Sequence, residues 1–271
     1  MQNSMKKPQD FAKEEIKDLI KEKIERFYST YCQEKSSSPN TRFKSWEYCH
    51  DFFVKNRKAA QTDEALLDHM ALHLAFYLAS WGMYRGSSFL LQRDYKCHIP
   101  VVKEVLRDCY EPLWDFDPKN GDGEKAANLL FGEEALYLKI KYAYAYKEKD
   151  DEPEMDVATD TLVTKILMGV FGCMPAFDSY LKDGIKDFQK VYSVDKKEQI
   201  STSFDSDNDY QKDWKPEKRQ DKLRENGKKA FLQLCQFAVT YQDAFRCEDS
   251  RYPVMKCVDM FFWQYGYDLK N

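Results

Sequence analysis

The sequence predicts an all-α, two-lobed helical domain with a helix-hairpin-helix-like corner. Apolar residues recur at three- and four-residue steps through most of the chain, and strand-like alternation is confined to one short stretch. At 271 residues and 43% hydrophobic content the chain is long enough to bury a core without staples. One domain over 1–271 is expected, with lobes at about 1–150 and 151–271 and a mobile insertion near 193–213.

The first helix runs from Phe11 to about Tyr31, where Phe11, Ile16, Leu19, Ile20, Ile24, Phe27 and Tyr28 share a face among Lys and Glu. "SSSPNT" breaks the chain, and "FKSWEYCHDFFVKN" reads as a short aromatic helix. Thr62, with Asp63 and Glu64 in the first turn, starts a helix through "ALLDHMALHLAFYLASW". That helix is apolar nearly all round after Leu72, which places it at the centre of the domain. "GMYRGSS" interrupts it, "FLLQRDYK" resumes it, and Pro100 opens a further helix through "PVVKEVLRDCYEPLW".

"DFDPKNGDGE" is a polar loop. Residues 124 to 147 contain the alternating "KIKYAYAYK", but their wealth of helix formers favours helix. "KEKDDEPEMD" is an acidic loop, and two apolar helices then meet at a Gly-x-x-Gly-x-x-Pro corner in "DTLVTKILMGVFGCMPAFDSYLKDGI". Residues 193 to 213 are too polar to pack, hence the insertion. "PEKRQDKLRENGKKAFLQLCQFAVTYQDAF" is a long helix, basic then apolar, with Gly227 weakening its continuity. The last helix shows Val254, Val258, Phe261, Phe262 and Tyr265 on one face and Gly266 as its stop.

Composition narrows the partners. A formal net charge of −4 argues against coating nucleic acid by charge alone, although a local basic face is compatible with it. The eight cysteines form no Cys-x-x-Cys pair, which suits free thiols in a reducing cytosol. The N-terminus turns amphipathic where a signal peptide needs an unbroken apolar run, and no later run reaches membrane-spanning length. A soluble, cytoplasmic chain with no membrane partner is expected.

Several constellations carry chemistry, each beside a plainer reading. At the corner, Leu162, Val163, Ile166, Leu167 and Val170 form an apolar face with Lys165 on its flank, and Asp178 falls in the first turn after Pro175. By spacing alone, such an Asp complements a helix dipole and such a Lys is solvated. In "SWGMYRGSS" a loop with Arg85 and Ser87 suits a phosphate or polar ligand, or simply turns between helices. His69 and His73 stand four apart, but no third ligand completes a metal site, so neither metal nor cofactor is expected. "RDYKCH" places Arg93 four residues before His98, the Arg-x4-His spacing of the helical HEPN ribonucleases, and supplies an alternative enzyme reading. A non-catalytic helical interaction module is the third.

The order of "TKILMGVFGCMPAFD" and, near the end, "VMKCVDMFFW" resembles the helix-hairpin-helix DNA glycosylases, nearest to small bacterial relatives with an 8-oxoguanine-glycosylase-like fold. The resemblance covers about a tenth of the chain. It implies removal of a damaged or modified base flipped from duplex DNA, in repair or in defence against modified phage DNA. The length of the chain favours defence. Asp178 would stabilise the positive charge that develops on the sugar, and a desolvated Lys165 would attack it as a neutral amine. Trp46, Trp81, Tyr84, Trp114 and Phe177 are candidate walls for the base, against a plainer reading as core. Gly169, Gly172, Lys182 and Lys186 would meet the DNA backbone, with the basic half-helix "KPEKRQDKLRENGKK" as a wider footprint if it lies beside the corner.

Overall fold

Apolar faces at helical spacing become ten α-helices and no strand among the residues that the computed structural model describes, 13–32, 42–144, 157–196, 198–204, 216–247 and 252–271. The acidic loop at 147–156 and the 205–213 part of the expected insertion lie outside them. In chain order the helices are α1 (Lys13–Tyr31), α2 (Ser45–Asn56), α3 (Glu64–Ser80), α4 (Ile99–Val105) and α5 (Gly123–Phe131). There follow α6 (Leu136–Tyr142), α7 (Asp160–Val170), α8 (Ser179–Val191), α9 (Pro216–Thr240) and α10 (Val254–Asp268).

Side-chain caps set the helices that frame the corner. Asp63, Thr159 and Asp178 each accept the N–H three residues on, starting α3, α7 and α8. Asp178 is thus the cap of α8 rather than a residue of its first turn. Thr62 yields that role to Asp63, while Pro100 does stand at the start of α4. "FLLQRDYK" forms 3₁₀ turns (Phe89–Gln92, Tyr95–His98) rather than resuming α3. Residues 124 to 144 are helical as expected, in two pieces hinged at Ala135, which adopts a left-handed φ of 44°.

The centre lies elsewhere than the hydropathy of α3 suggests. Leu72 and Phe76 of α3 face water, Phe76 at 58% exposure, whereas every residue of α7 from Leu162 to Val170 is buried. Helix α7 packs against α2 and α3, and α10 packs against α1 and α8. Partners drawn from both halves of the chain close one continuous apolar cluster from Ile16 to Trp263, so no core boundary falls near residue 150.

Two glycines look like breakers in the sequence and are packing sites instead. Gly266 lies inside α10, where a Cβ would sit 1.9 Å from the Tyr180 carbonyl oxygen of α8; Gly184 meets the Phe262 carbonyl in the reverse sense. The two backbones touch. Gly227 keeps α9 unbroken and gives room to the Phe131 ring, 2.3 Å from where a Cβ would stand. Residues 198–204, assigned to the insertion, are pinned: Ile200 and Phe204 are buried, Gln189 binds the Ile200 backbone, and Asn226 donates to the Phe204 carbonyl.

Among the described residues no helix is long and apolar enough to cross a membrane.

Candidate active site

The segment between α7 and α8 is held from both sides. Thr161 donates to the Phe177 carbonyl, Thr164 accepts the Phe177 N–H, and Asp259 of α10 accepts the Ala176 N–H at 2.9 Å. These bonds fix the chain just before Asp178. Gly172 turns it with a left-handed φ of 65°.

Lys165, on the same face of α7 as that clamp, is only 4% exposed. Its ammonium donates to the Trp81 carbonyl at 2.9 Å and stands 3.5 Å from Asp178 Oδ2. Loss of water lowers the Lys165 pKa below that of an ordinary lysine, although Asp178 and Asp259 pull it back up. Burial raises Asp178, against the opposing pull of Lys165 and the Leu181 N–H. Both shifts share one cause, and both bring the neutral amine and the protonated acid within closer reach of neutral pH. A lysine so placed is suited to act as a nucleophile, and the carboxyl beside it to exchange its proton.

A second charged pair lies behind the first. Lys256 and Asp259, one turn apart on α10, are almost wholly buried and 2.8 Å from one another. The Lys256 ammonium lies 4.9 Å from the Trp81 ring centre and 5.3 Å from those of Trp46 and Phe27. Tyr77 completes the interior, its phenol raised well above the usual range by burial and then by the charge of Asp259.

Aromatic residues pack around the pair. Trp81 meets Phe43 edge-on at 4.6 Å, and Phe43 meets Trp263 at 5.7 Å. Trp263 stacks on Tyr267 at 5.2 Å and touches Tyr180, two residues after Asp178. The turn after α3 carries Arg85 and Ser87 into solvent on either side of Gly86, which like Gly82 is left-handed. Arg85 makes no ion pair among the described residues, and its charge further depresses Lys165. Its guanidinium packs over Gly82, 3.1 Å from where a Cβ would stand.

The structure therefore brings Lys165, Asp178, Trp81 and the Arg85 turn together, and separates other residues expected with them. Phe177 is core, fully buried against Phe204 at 4.7 Å, because the Thr164 bond turns it inward. Trp46 lies behind Lys256, with its indole N–H on the Met168 carbonyl. Trp114 packs on Phe171. Gly169 and Gly172 are buried under Tyr77 and Pro253, and the Gly172 N–H is taken by Met168, so neither faces a DNA backbone. Lys186 is exposed and Lys182 half-buried on α8. The basic part of α9 turns Lys228 to Glu124 and Asn128 of α5, away from the corner.

His98 is fully buried, its two ring nitrogens 2.6 Å from the Tyr84 hydroxyl and 2.7 Å from the Tyr144 hydroxyl. Burial pushes its pKa down to about 4. Tyr84 is thus tied to His98, Arg93 donates to the Tyr144 carbonyl, and the ribonuclease reading has no exposed imidazole. His73 stacks on Phe52 at 3.9 Å, and among the described residues no three His, Cys, Asp or Glu side chains converge on a cation position.

Lys256, Asp259, Phe43, Tyr180 and Trp263 are site residues that spacing did not single out. The signal that finds two of them is a lysine and an aspartate three apart in "VMKCVDMFFW", a run otherwise too apolar to leave either in water. In comparisons with family models, curated proteins and solved structures, no match to the chain is found.

Proposed function

We propose that the chain is a DNA glycosylase-like enzyme that removes a damaged or modified base from duplex DNA, with defence against modified phage DNA as its setting. The observation that carries this reading is the desolvated Lys165 amine 3.5 Å from Asp178 and against the Trp81 ring.

The chemistry follows from those groups. Lys165 leaves the Trp81 carbonyl, passes its proton to Asp178 and attacks C1′ of the flipped nucleotide. The new C1′–N bond forms as the glycosidic bond breaks, and the base departs with the bonding electron pair and takes the proton from Asp178. The Asp178 carboxylate so regenerated faces the positive charge on the sugar and its new nitrogen. Opening of the sugar ring then gives an imine to Lys165, which water cleaves to an abasic site or which passes on to strand scission. Trp81, beside the amine, offers its ring to the base, and Arg85 offers a fork to a phosphate.

The test is to incubate wild type, Lys165→Ala and Asp178→Asn with duplexes bearing damaged bases and with modified phage DNA, then treat with alkali. Alkali-labile sites that need Asp178, together with a borohydride-trapped protein–DNA adduct that needs Lys165, are the expected result. Abasic sites formed equally by all three proteins would refute the assignment.

A further inference from the structure

Trp81 carries a polar atom that the protein does not answer. Its indole Nε1 is buried and has no hydrogen-bond partner among the described residues, in a residue only 8% exposed. An indole N–H can only donate, and a buried donor without an acceptor is destabilising. The neighbouring indole shows what completion looks like: Trp46, against the same Lys256 ammonium, donates to the Met168 carbonyl at 2.9 Å.

The surroundings make Trp81 a better donor than an ordinary indole. The Lys165 and Lys256 ammonium groups lie 5.3 Å and 4.9 Å from its ring centre, and cations there draw π density away from nitrogen. Its carbonyl already holds Lys165, so one residue touches the nucleophile through its backbone while its ring lies beside both ammonium groups. The ring's edge-on contact with Phe43 leaves an environment for a flat group rather than for a phosphate.

We infer that the Trp81 indole N–H is a recognition group of the Lys165–Asp178 site and donates to a carbonyl oxygen or unprotonated ring nitrogen on the edge of a bound nucleobase. This rests on the glycosylase reading and adds a rule of choice to it. A base that presents an acceptor at that edge is held, and one that presents N–H or NH₂ there is rejected, because two donors would face one another in a dry site. Trp81 acts in binding and carries no step of bond cleavage.

The experiment is a titration of protein carrying ¹⁵N in its indole rings, followed through the indole N–H signals of its five tryptophans. A duplex with a tetrahydrofuran abasic analogue is present throughout, and free uracil, cytosine, hypoxanthine and adenine are added in turn. Trp81→Phe identifies the Trp81 signal and keeps an aromatic ring in place. If that variant fails to fold, Phe variants of the other four tryptophans identify the signal by elimination in wild type.

The expected result is a downfield move of the Trp81 signal with at least one base. Binding of that base should weaken about tenfold in Trp81→Phe, the worth of one neutral hydrogen bond. A Trp81 signal indifferent to every base overturns the inference, as does wild-type binding by Trp81→Phe. Either result leaves the glycosylase reading standing where abasic-site formation still requires Lys165. A Trp81 signal that answers a base, in a protein whose abasic-site formation ignores Lys165, keeps the donor and removes the glycosylase.

Discussion

His98 and Lys165 are both withdrawn from water, yet their surroundings are completed differently. The imidazole has a hydroxyl on each nitrogen, and burial holds it neutral near pH 7. A neutral imidazole with one donor and one acceptor fits two hydroxyls without residual charge, so that cluster is a finished structural joint. Lys165 has a carboxyl at 3.5 Å rather than at close ion-pair distance, a carbonyl borrowed from Trp81, and an unanswered indole N–H beside it. Burial of two lysines and two aspartates around one tryptophan is a poor way to stabilise a fold, since desolvation offsets most of their attraction. The contrast separates a polar cluster whose bonds are complete from one whose bonds are not.

The contrast breaks first at Lys165. Lys165→Met should abolish borohydride trapping of protein on abasic duplex, whereas His98→Asn should leave it intact. Gels of the trapped adduct decide this, and trapping that depends on His98 would reverse the roles.

Asp259→Asn comes next, because it leaves the Lys256 ammonium buried beside a neutral amide and frees the chain before Asp178. The loss should be about 3–5 kcal/mol in denaturant unfolding, with base removal falling alongside.

The His98 cluster should show itself in acid. Its folded-state pKa of about 4 lies below the 6.5 of an unfolded histidine, so only the unfolded chain takes up that proton between the two values. Stability should decline as pH falls from 6.5 to 4, by at most about 3 kcal/mol from this group, and His98→Asn should flatten that part of the curve. Lys165 has the opposite signature in rate. Its lowered pKa means that the amine deprotonates below pH 10.5, so single-turnover trapping should rise with pH along a limb that ends below that value. A limb centred at 10.5 or above would show that the lysine is solvated.

The smallest effect belongs to the outer face of α3. Phe76→Ser should change stability by no more than about 0.5 kcal/mol, since Phe76 lies mostly in water.

Helix identity was largely legible because caps and apolar spacing act within one turn: Asp63, Thr159 and Asp178 start their helices through bonds to residues three further on. The Lys165 and Asp178 meeting was legible for a similar reason, as only the short Gly172 turn and the end of α7 separate them. What escaped depends on distant partners. Nothing local to Gly266 says that Tyr180 will press on it, or that Phe131 will fill the space beside Gly227. Nothing around Phe177 says that Thr164 will hold its backbone so that the ring enters the core. Asp259 lies 83 residues from the amide it accepts, beyond any periodicity.

The bare contact of Gly184 and Gly266 also determines which side of the Lys165–Asp178 pair can yield. With α8 and α10 in touch at their backbones, Asp178, Asp259 and Lys256 ride on one stiff floor, and side chains there have no slack to take up. On the side of Lys165 that meets the Trp81 carbonyl lies the turn from Trp81 to Ser88, which contains two left-handed glycines and bears exposed side chains at its tip. Any shift of that turn carries with it the Trp81 carbonyl to which Lys165 donates, so the surroundings of the amine change with the turn while those of Asp178 stay fixed.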